Sequence, residues 1–198
     1  VGPALLIPLY VQNALGLSAL LSGLVIMPGA IINGIMSVFT GKFYDKYGPR
    51  PLIFTGFILL ISCTFLLCFL KVDTSYTYLI VIYAIRMFAV SLLMMPINTT
   101  GINALKTEDI SHGTAIMNFG RVMAGSLGTA LMVTFMSIGA QWVVSSSEHA
   151  SKEMIQRQSV AVGVDVSFAL VTVFVIIAFV LALFIKEPNH LTHNSRKV

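Results

Sequence analysis

The sequence predicts an all-α membrane protein, and two observations carry the prediction. Hydrophobic residues make up 57% of the 198-residue chain, charged residues make up 10%, and the mean hydropathy is +0.90. Soluble domains average about 45–50% apolar and about 25% charged residues, so we expect lipid to be the solvent of this chain. The apolar residues are also grouped into runs of roughly the 20 residues that a helix needs to cross a bilayer.

Six apolar segments follow one another along the chain. The first, residues 1–14, would form a helix only about 21 Å long, which is shorter than the hydrocarbon layer. Because residue 1 is Val rather than Met, we expect a piece of a longer protein that begins inside this helix. The other five segments are each long enough to cross a bilayer with some tilt. They cover residues 18–40, 51–70, 76–97, 113–139 and 165–185, so residues 1–185 form one transmembrane domain and residues 186–198 a tail.

The links between these segments differ in character. Residues 15–17 and 71–75 predict tight turns, and residues 98–112 form a polar link. Residues 140–164 contain the polar run SSSEHASKEMIQRQS. This longest link predicts either an amphipathic helix on the membrane surface or a solvated loop, and we favour the loop.

The distribution of Lys and Arg predicts the orientation, because cytoplasmic links of membrane proteins are rich in both. If residues 41–50 are cytoplasmic and the segments alternate, seven basic residues lie on the cytoplasmic side and three outside. We therefore expect a multi-pass protein of the cell membrane with a cytoplasmic C-terminus. The cytoplasmic set is Lys42, Lys46, Arg50, Lys106, Lys186, Arg196 and Lys197, and the outer set is Lys71, Lys152 and Arg157.

The link GKFYDKYGPRP, residues 41–51, concentrates charge between two apolar runs. Gly41 and Gly48 permit a tight reversal close to the bilayer, and Pro51 suits the first turn of the next helix. Asp45 is the acid among three bases, and it could meet the positive N-terminal end of a neighbouring helix. The charges alone have a plainer interpretation as well, since any short cytoplasmic link collects Lys and Arg.

The spacing Gly41-x-x-x-Asp45-Lys46-x-Gly48-x-Arg50 resembles the signature loop of the major facilitator superfamily, G-x-x-x-D-[RK]-x-G-[RK]-[RK]. Pro49 stands where that family has its first basic residue after the second glycine. In the family this loop joins the second and third helices of each six-helix half. The loop holds the same place among the segments of this chain.

Two further stretches resemble the fourteen-helix drug:proton antiporters of that superfamily. Residues 10–30 fit the pattern Q-x-x-x-G-x-S-x-x-x-x-G-x-x-x-x-P-G, and residues 118–132 fit N-x-x-R-x-x-G-x-x-G in part, with Val122 in place of the usual Gln. The resemblance covers residues 4–186. The matching residues are Gln12, Gly16, Ser18, Gly23, Pro28 and Gly29 in the first stretch, and Asn118, Arg121 and Gly128 in the second.

The resemblance implies the C-terminal half of a facilitator-type pump, with an N-terminal half of the same protein as its partner. It also implies export of small lipophilic or cationic molecules in exchange for protons, with membrane lipid around the helices. Asp45 would then contact a helix end of the opposite half and help to latch one of two rocking states. We find no Asp or Glu in the middle of a predicted span, so we expect the proton-carrying acid in the other half. No cofactor and no metal are expected.

Polar residues inside the spans are the candidates for a substrate path. A central Arg costs at least about 2.5–3.5 kcal/mol on insertion scales, so Arg86 should face the bundle interior or a watery cavity, in a functional or a structural role. Arg121 lies about 12 Å from the nearer end of its segment and could instead snorkel to the interface. Asn33, Asn118 and Gln12 complete the candidates, with packing by interhelical hydrogen bonds as the alternative role.

Prolines and small residues suggest how the helices bend and pack. Pro28, Gly29 and Pro96 interrupt hydrogen bonding and predict bending, or else static kinks. Gly120, Ala124 and Gly128 recur every four residues and predict a helix-packing face. Cys63 and Cys68 share one apolar run and are interpreted as buried small hydrophobes.

Other classes of function find little support in the sequence. The basic residues are scattered and form no basic face, so we expect no nucleic acid partner. No nucleophile-elbow, zinc-protease or P-loop motif is present, so we expect no enzyme. Two rivals stay open: a facilitator that moves a metabolite, sugar or peptide, and a membrane module that transports nothing.

Overall fold

The computed structural model describes residues 2–70, 74–103, 105–146 and 152–184, whose six long elements are all α-helices. The helices are α1 Gly2–Asn13, α2 Ala19–Tyr47, α3 Pro49–Leu66, α4 Tyr76–Asn103, α5 Ile110–Ser146 and α6 Lys152–Leu183. A short 3-10 turn at Leu67–Phe69 follows α3, and another at Thr107–Asp109 precedes α5. Helices α2 to α6 are long and apolar enough to cross a membrane, if α3 is counted together with its 3-10 turn. The all-α membrane fold is therefore confirmed.

Local chemistry accounts for the ends of α2 and the start of α3. The Ser18 hydroxyl accepts a hydrogen bond of 3.4 Å from the backbone N–H of Leu21, which caps the first turn of α2. Gly48 ends α2 with φ 77° and ψ 177°, and its N–H donates to the Tyr44 carbonyl at 2.9 Å. Pro49 begins α3, where its missing N–H is not needed and its fixed φ suits the helix.

The structure corrects two of the predicted links. α5 continues to Ser146 and α6 begins at Lys152, so the loop predicted over residues 140–164 is wrong for most of its length. The helical parts continue the spanning helices and form no separate surface helix. The polar residues of this stretch indicate contact with water, but they do not prevent a helix, because Ala, Lys, Glu, Met and Gln are good helix formers. Gly41 likewise lies inside α2, so Gly48 alone makes the reversal.

Successive helices run in opposite directions between two ends of the bundle, which we call the Gly16 end and the Gly48 end after the glycine in the turn at each. α2 packs against α4, α4 against α3, α3 against α6, and α6 against α5. The short α1 packs against α2, α5 and α6. The tail at residues 186–198 lies outside the described residues.

Two main clusters of buried side chains hold the helices together, and a small third cluster of Tyr44, Leu52 and Leu92 joins α2, α3 and α4 at the Gly48 end. The larger cluster lies toward the Gly16 end, and the smaller one joins α3, α4 and α6 toward the Gly48 end. Because lipid tails are as apolar as the side chains, close packing rather than the hydrophobic effect drives helix association in a membrane. The larger cluster includes Tyr10, Val25, Leu67, Tyr83, Val164 and Phe168, and the smaller one Ile53, Phe57, Leu60, Ala89 and Leu93.

Candidate functional site

An open groove of about 350 Å³ lies between α3, α4 and α5. Most of its wall is apolar, and Asn98 and Arg121 supply its polar groups. Ligand sites of small molecules typically have volumes of about 300–1,000 Å³ and mostly apolar walls with a few polar groups. The groove fits that description. Its lining includes Leu60 of α3, Val90, Leu93 and Asn98 of α4, and Met117 and Arg121 of α5.

Arg86 lies about three turns into α4 and is 7% exposed. Its Nε atom is buried and has no hydrogen-bond partner among the described residues. The predicted position of Arg86 in the bundle interior is thus what the structure shows. Residues four and seven apart share a helix face, so Arg86 lies on the face of α4 that carries Val90 and Leu93 into the groove.

Arg121 lies about three turns into α5, with its side chain exposed in the groove wall. Its Nη2 atom donates a hydrogen bond of 2.9 Å to Oδ1 of Asn118, one helical turn before it. Two of the three residues that matched the second stretch of the resemblance therefore form a hydrogen bond with each other. Their pairing holds the guanidinium beside the helix, within reach of the groove.

Asn33 and Gly29 lie at the crossing of α2 and α4. The Asn33 amide donates a hydrogen bond of 3.1 Å to the backbone carbonyl of Met87. A Cβ atom added to Gly29 would come within 2.8 Å of Cδ1 of Tyr83, so the two helices touch closely there. Asn33 thus ties α2 to α4, and it is not among the residues that line the groove.

Gln12 lies at the Gly16 end, away from the groove. Its Nε2 atom donates a hydrogen bond of 3.0 Å to the Ser22 hydroxyl, which in turn donates to the Ala19 carbonyl at 2.7 Å. This chain of hydrogen bonds joins the last turn of α1 to the first turn of α2.

The helices α2 and α4 continue through Pro28 and Pro96 without interruption.

The charged side chains of the signature loop are exposed at the Gly48 end, on the last turn of α2 and the first of α3. They are Asp45, Lys46 and Arg50, and Lys42, about one turn earlier in α2, is exposed as well. The Nζ atom of Lys46 lies 5.2 Å from the centre of the Tyr47 ring. Gly41 packs against α4, since a Cβ atom added to it would lie 3.3 Å from Cε of Met95. The loop residues are therefore together, on a surface separate from the groove.

Sequence reasoning missed Asp165. Because α6 begins earlier than expected, Asp165 lies inside a helix that can cross a membrane and not at its start. The expectation that the proton-carrying acid lies in the other half stays a prediction. Its Oδ1 atom accepts a hydrogen bond of 3.1 Å from the backbone N–H of Leu70, just after the 3-10 turn. The residue ties α6 to the end of α3. The residues before Asp165 are polar, so the hydropathy pattern did not predict the first part of α6 and placed this acid at a segment boundary.

The bundle and its groove define a class of protein: a multi-pass helical membrane protein with a mostly apolar groove between its helices. The sequence profile of the Major Facilitator Superfamily matches residues 1–129, which is more than half of the chain. The chain therefore belongs to the Major Facilitator Superfamily, whose members are transporters. The predicted family is confirmed.

Similar proteins include several connected with drug resistance. The lincomycin resistance protein LmrB of Listeria monocytogenes is 37% identical over 185 residues, which are 93% of this chain and 39% of that protein. The multidrug export protein EmrB of Escherichia coli K12 is 29% identical over 134 residues, 67% of this chain and 26% of that protein. YhcA of Bacillus subtilis, an uncharacterized MFS-type transporter, is 47% identical over 129 residues, 65% of this chain and 24% of that protein. The chain thus spans less than half the length of these relatives.

Proposed function

We propose that this chain is the C-terminal half of an exporter that moves small lipophilic or cationic molecules out of the cell in exchange for protons. The observation that carries the proposal is the 37% identity to a lincomycin resistance protein over 93% of the chain. The groove between α3, α4 and α5 supplies a recess of suitable size and polarity. Residues 1–185 form the transmembrane half, and residues 186–198 form a cytoplasmic tail of a cell-membrane protein.

The exposed apolar faces of α2 and α5 are available for contact with lipid or with a second half of the protein. Ile116, Phe119 and Val122 of α5 are each at least 64% exposed, and Val38 of α2 is 66% exposed. A substrate site between two halves that rock about it is the general arrangement for such transporters. In that arrangement Asp45 latches the opposite half at the Gly48 end, while Arg86, Arg121 and Asn118 lie along the substrate path.

Transport by the complete reading frame that contains this chain tests the proposal. Everted membrane vesicles should accumulate lincomycin or ethidium when a proton gradient is applied, and a protonophore should abolish the uptake. Asp45→Asn should reduce the uptake rate, because the latch loses its charge. Lys42→Gln is the matched control on the same loop, with one charge removed and the acid kept.

Three results would contradict the proposal. Uptake at the same rate with and without the proton gradient would contradict the proposed coupling to protons. Uptake of a sugar or peptide in place of drugs would favour a metabolite transporter, and no uptake by a correctly inserted protein would favour a membrane module without transport.

A further inference from the structure

A second groove lies at the Gly48 end, between α2, α3 and α4, and we call it the Tyr47 groove. Its volume is about 260 Å³ and its wall is almost entirely apolar. The Thr55 hydroxyl in this wall donates to the Pro51 carbonyl of its own helix at 2.7 Å, so it adds no free polar group. The groove can therefore hold a hydrocarbon chain. Its lining includes Met36, Phe43, Tyr47, Thr55, Phe88 and Leu92.

The Tyr47 groove extends from the end of α2 into the part of the bundle that lipid surrounds. Met36 and Tyr47 are eleven residues apart, which corresponds to about 16 Å along the helix. At the end of α2 the exposed rings of Phe43 and Tyr47 stack with their centres 6.1 Å apart. Tyrosine is enriched where membrane meets water, because its ring is apolar and its hydroxyl is polar. We therefore expect the mouth of the groove at the level of the lipid headgroups.

The ammonium group of Lys46 lies at this mouth. Its Nζ atom is 5.2 Å from the centre of the Tyr47 ring, which forms part of the groove wall. Arg50 is exposed and directly precedes Pro51, another lining residue. Two basic residues thus adjoin the polar end of the groove.

The other charged residues on the last two turns of α2 lie away from the groove. Asp45 is two positions from both Phe43 and Tyr47, so its side chain leaves the helix on nearly the opposite side. The Nζ atom of Lys42 lies 5.8 Å from the centre of the Phe39 ring, which is not among the lining residues. The charge beside the groove mouth is therefore positive, and it complements an anion.

From this arrangement we infer that the Tyr47 groove is a binding site for one anionic phospholipid. An acyl chain occupies the groove, and the phosphate lies at the mouth beside Lys46, with Arg50 as a further cation near the membrane surface. Basic residues at a groove between membrane helices recognise anionic headgroups in this way. The lipid is a bound component of the membrane and not a transported molecule, so the inference goes beyond the proposed export and does not depend on the charge of its substrate.

Photocrosslinking in vesicles tests this site in the protein made from the complete reading frame. Phe43 is replaced with p-benzoylphenylalanine, and the protein is reconstituted in equal amounts of phosphatidylglycerol and phosphatidylcholine with the same acyl chains. Mass spectrometry of the lipid adducts then measures selectivity for the headgroup alone. Phosphatidylglycerol adducts should exceed phosphatidylcholine adducts about fivefold or more. The same probe at Ile58, exposed in the middle of α3, should show no preference.

Variants of single basic residues make the result specific. Lys46→Gln should lower the adduct ratio about fivefold, the usual contribution of one basic residue near an anionic membrane surface, and Lys46→Arg should preserve the ratio. Lys42→Gln is the matched control, because it removes the same charge one turn earlier on α2, and it should leave the ratio unchanged. The probe placed at Thr55, in the α3 wall of the groove, should give the same preference as the probe at Phe43. Free glycerol phosphate should not compete, because it lacks the acyl chain.

Equal adducts of the two lipids at Phe43 would overturn the inference, as would equal losses of preference in Lys46→Gln and Lys42→Gln, which would indicate only diffuse attraction to the surface. Competition by glycerol phosphate would assign the site to a free anion instead. A cross-link from Phe43 to another part of the protein, without lipid adducts, would show that protein covers the groove. Transport plays no part in this measurement, so failure of the proposed export would leave the result interpretable.

Discussion

Gly48 is the single residue between α2 and α3, and its backbone conformation is one that other residues avoid. With φ 77° and ψ 177° it lies in a region occupied almost only by glycine. This geometry explains why a glycine is needed here, whereas Gly41 belongs to the helix and needs only its small size against Met95. Of the two loop glycines, Gly48 thus allows the chain to reverse its direction, and Gly41 does not.

Gly48→Ala should lower the free energy of unfolding by about 1–3 kcal/mol, because alanine is strained in this conformation. The measurement is denaturant unfolding in detergent followed by circular dichroism. Gly34→Ala is the control, since a Cβ atom at Gly34 in the middle of α2 has no neighbour within 4 Å in the structure. That control should raise stability by up to about 1 kcal/mol through helix propensity. Equal effects of the two substitutions would contradict the assignment.

At the scale of helices, α5 and α6 meet backbone to backbone near Gly139 and Gly163. A Cβ atom on Gly139 would come within 2.9 Å of Cα of Gly163, and one on Gly163 would overlap the Met136 carbonyl. The hydroxyl of Ser167 adds a hydrogen bond of 2.7 Å to the Met132 carbonyl. Small residues and an interhelical hydrogen bond together fix this contact, as is usual between membrane helices.

Gly163→Ala should force α5 and α6 apart and lower the free energy of unfolding by about 1–3 kcal/mol, the range for overpacked interiors. Gly34→Ala on α2 is again the control, because a Cβ atom there meets nothing within 4 Å. Unfolding in a graded detergent mixture, followed by circular dichroism, measures both. A Gly163→Ala protein as stable as the control would show that the helices do not need this close contact.

Hydropathy was sufficient to predict the spanning helices, because burial in lipid requires a long apolar run. It failed over residues 140–164, where the helices extend beyond the apolar run and carry polar residues. The interior position of Arg86 followed from the energetic penalty of a charge in lipid. The groove and the hydrogen bond of Asp165 could not be predicted from the sequence, because both depend on how α3, α4, α5 and α6 are rotated against each other.

The helix packing predicted for Gly120 and Gly128 stays a prediction, because a Cβ atom added to either glycine meets no described neighbour.

For the whole molecule, the predicted orientation places the Gly48 end in the cytoplasm. A single cysteine introduced as Lys46→Cys should react with a membrane-impermeant maleimide only after intact cells are permeabilised. Ser145→Cys, exposed near the end of α5, should react in intact cells. The protein without an introduced cysteine measures the background labelling of Cys63, which is buried, and of Cys68, which is half-buried. Labelling of Lys46→Cys from outside would reverse the proposed topology.

The glycine contact between α5 and α6 also has a mechanical consequence. It clamps α5 near one end, and the helix then extends from Gly139 back to Ile110, a distance of about 44 Å at helical rise. A pivot of about 5° at the clamp would displace the far tip by about 4 Å over that length. Arg121 lies on this long part of α5. A slight tilt of the helix at one membrane face is therefore enough to widen or narrow the groove, which lies nearer the other membrane face.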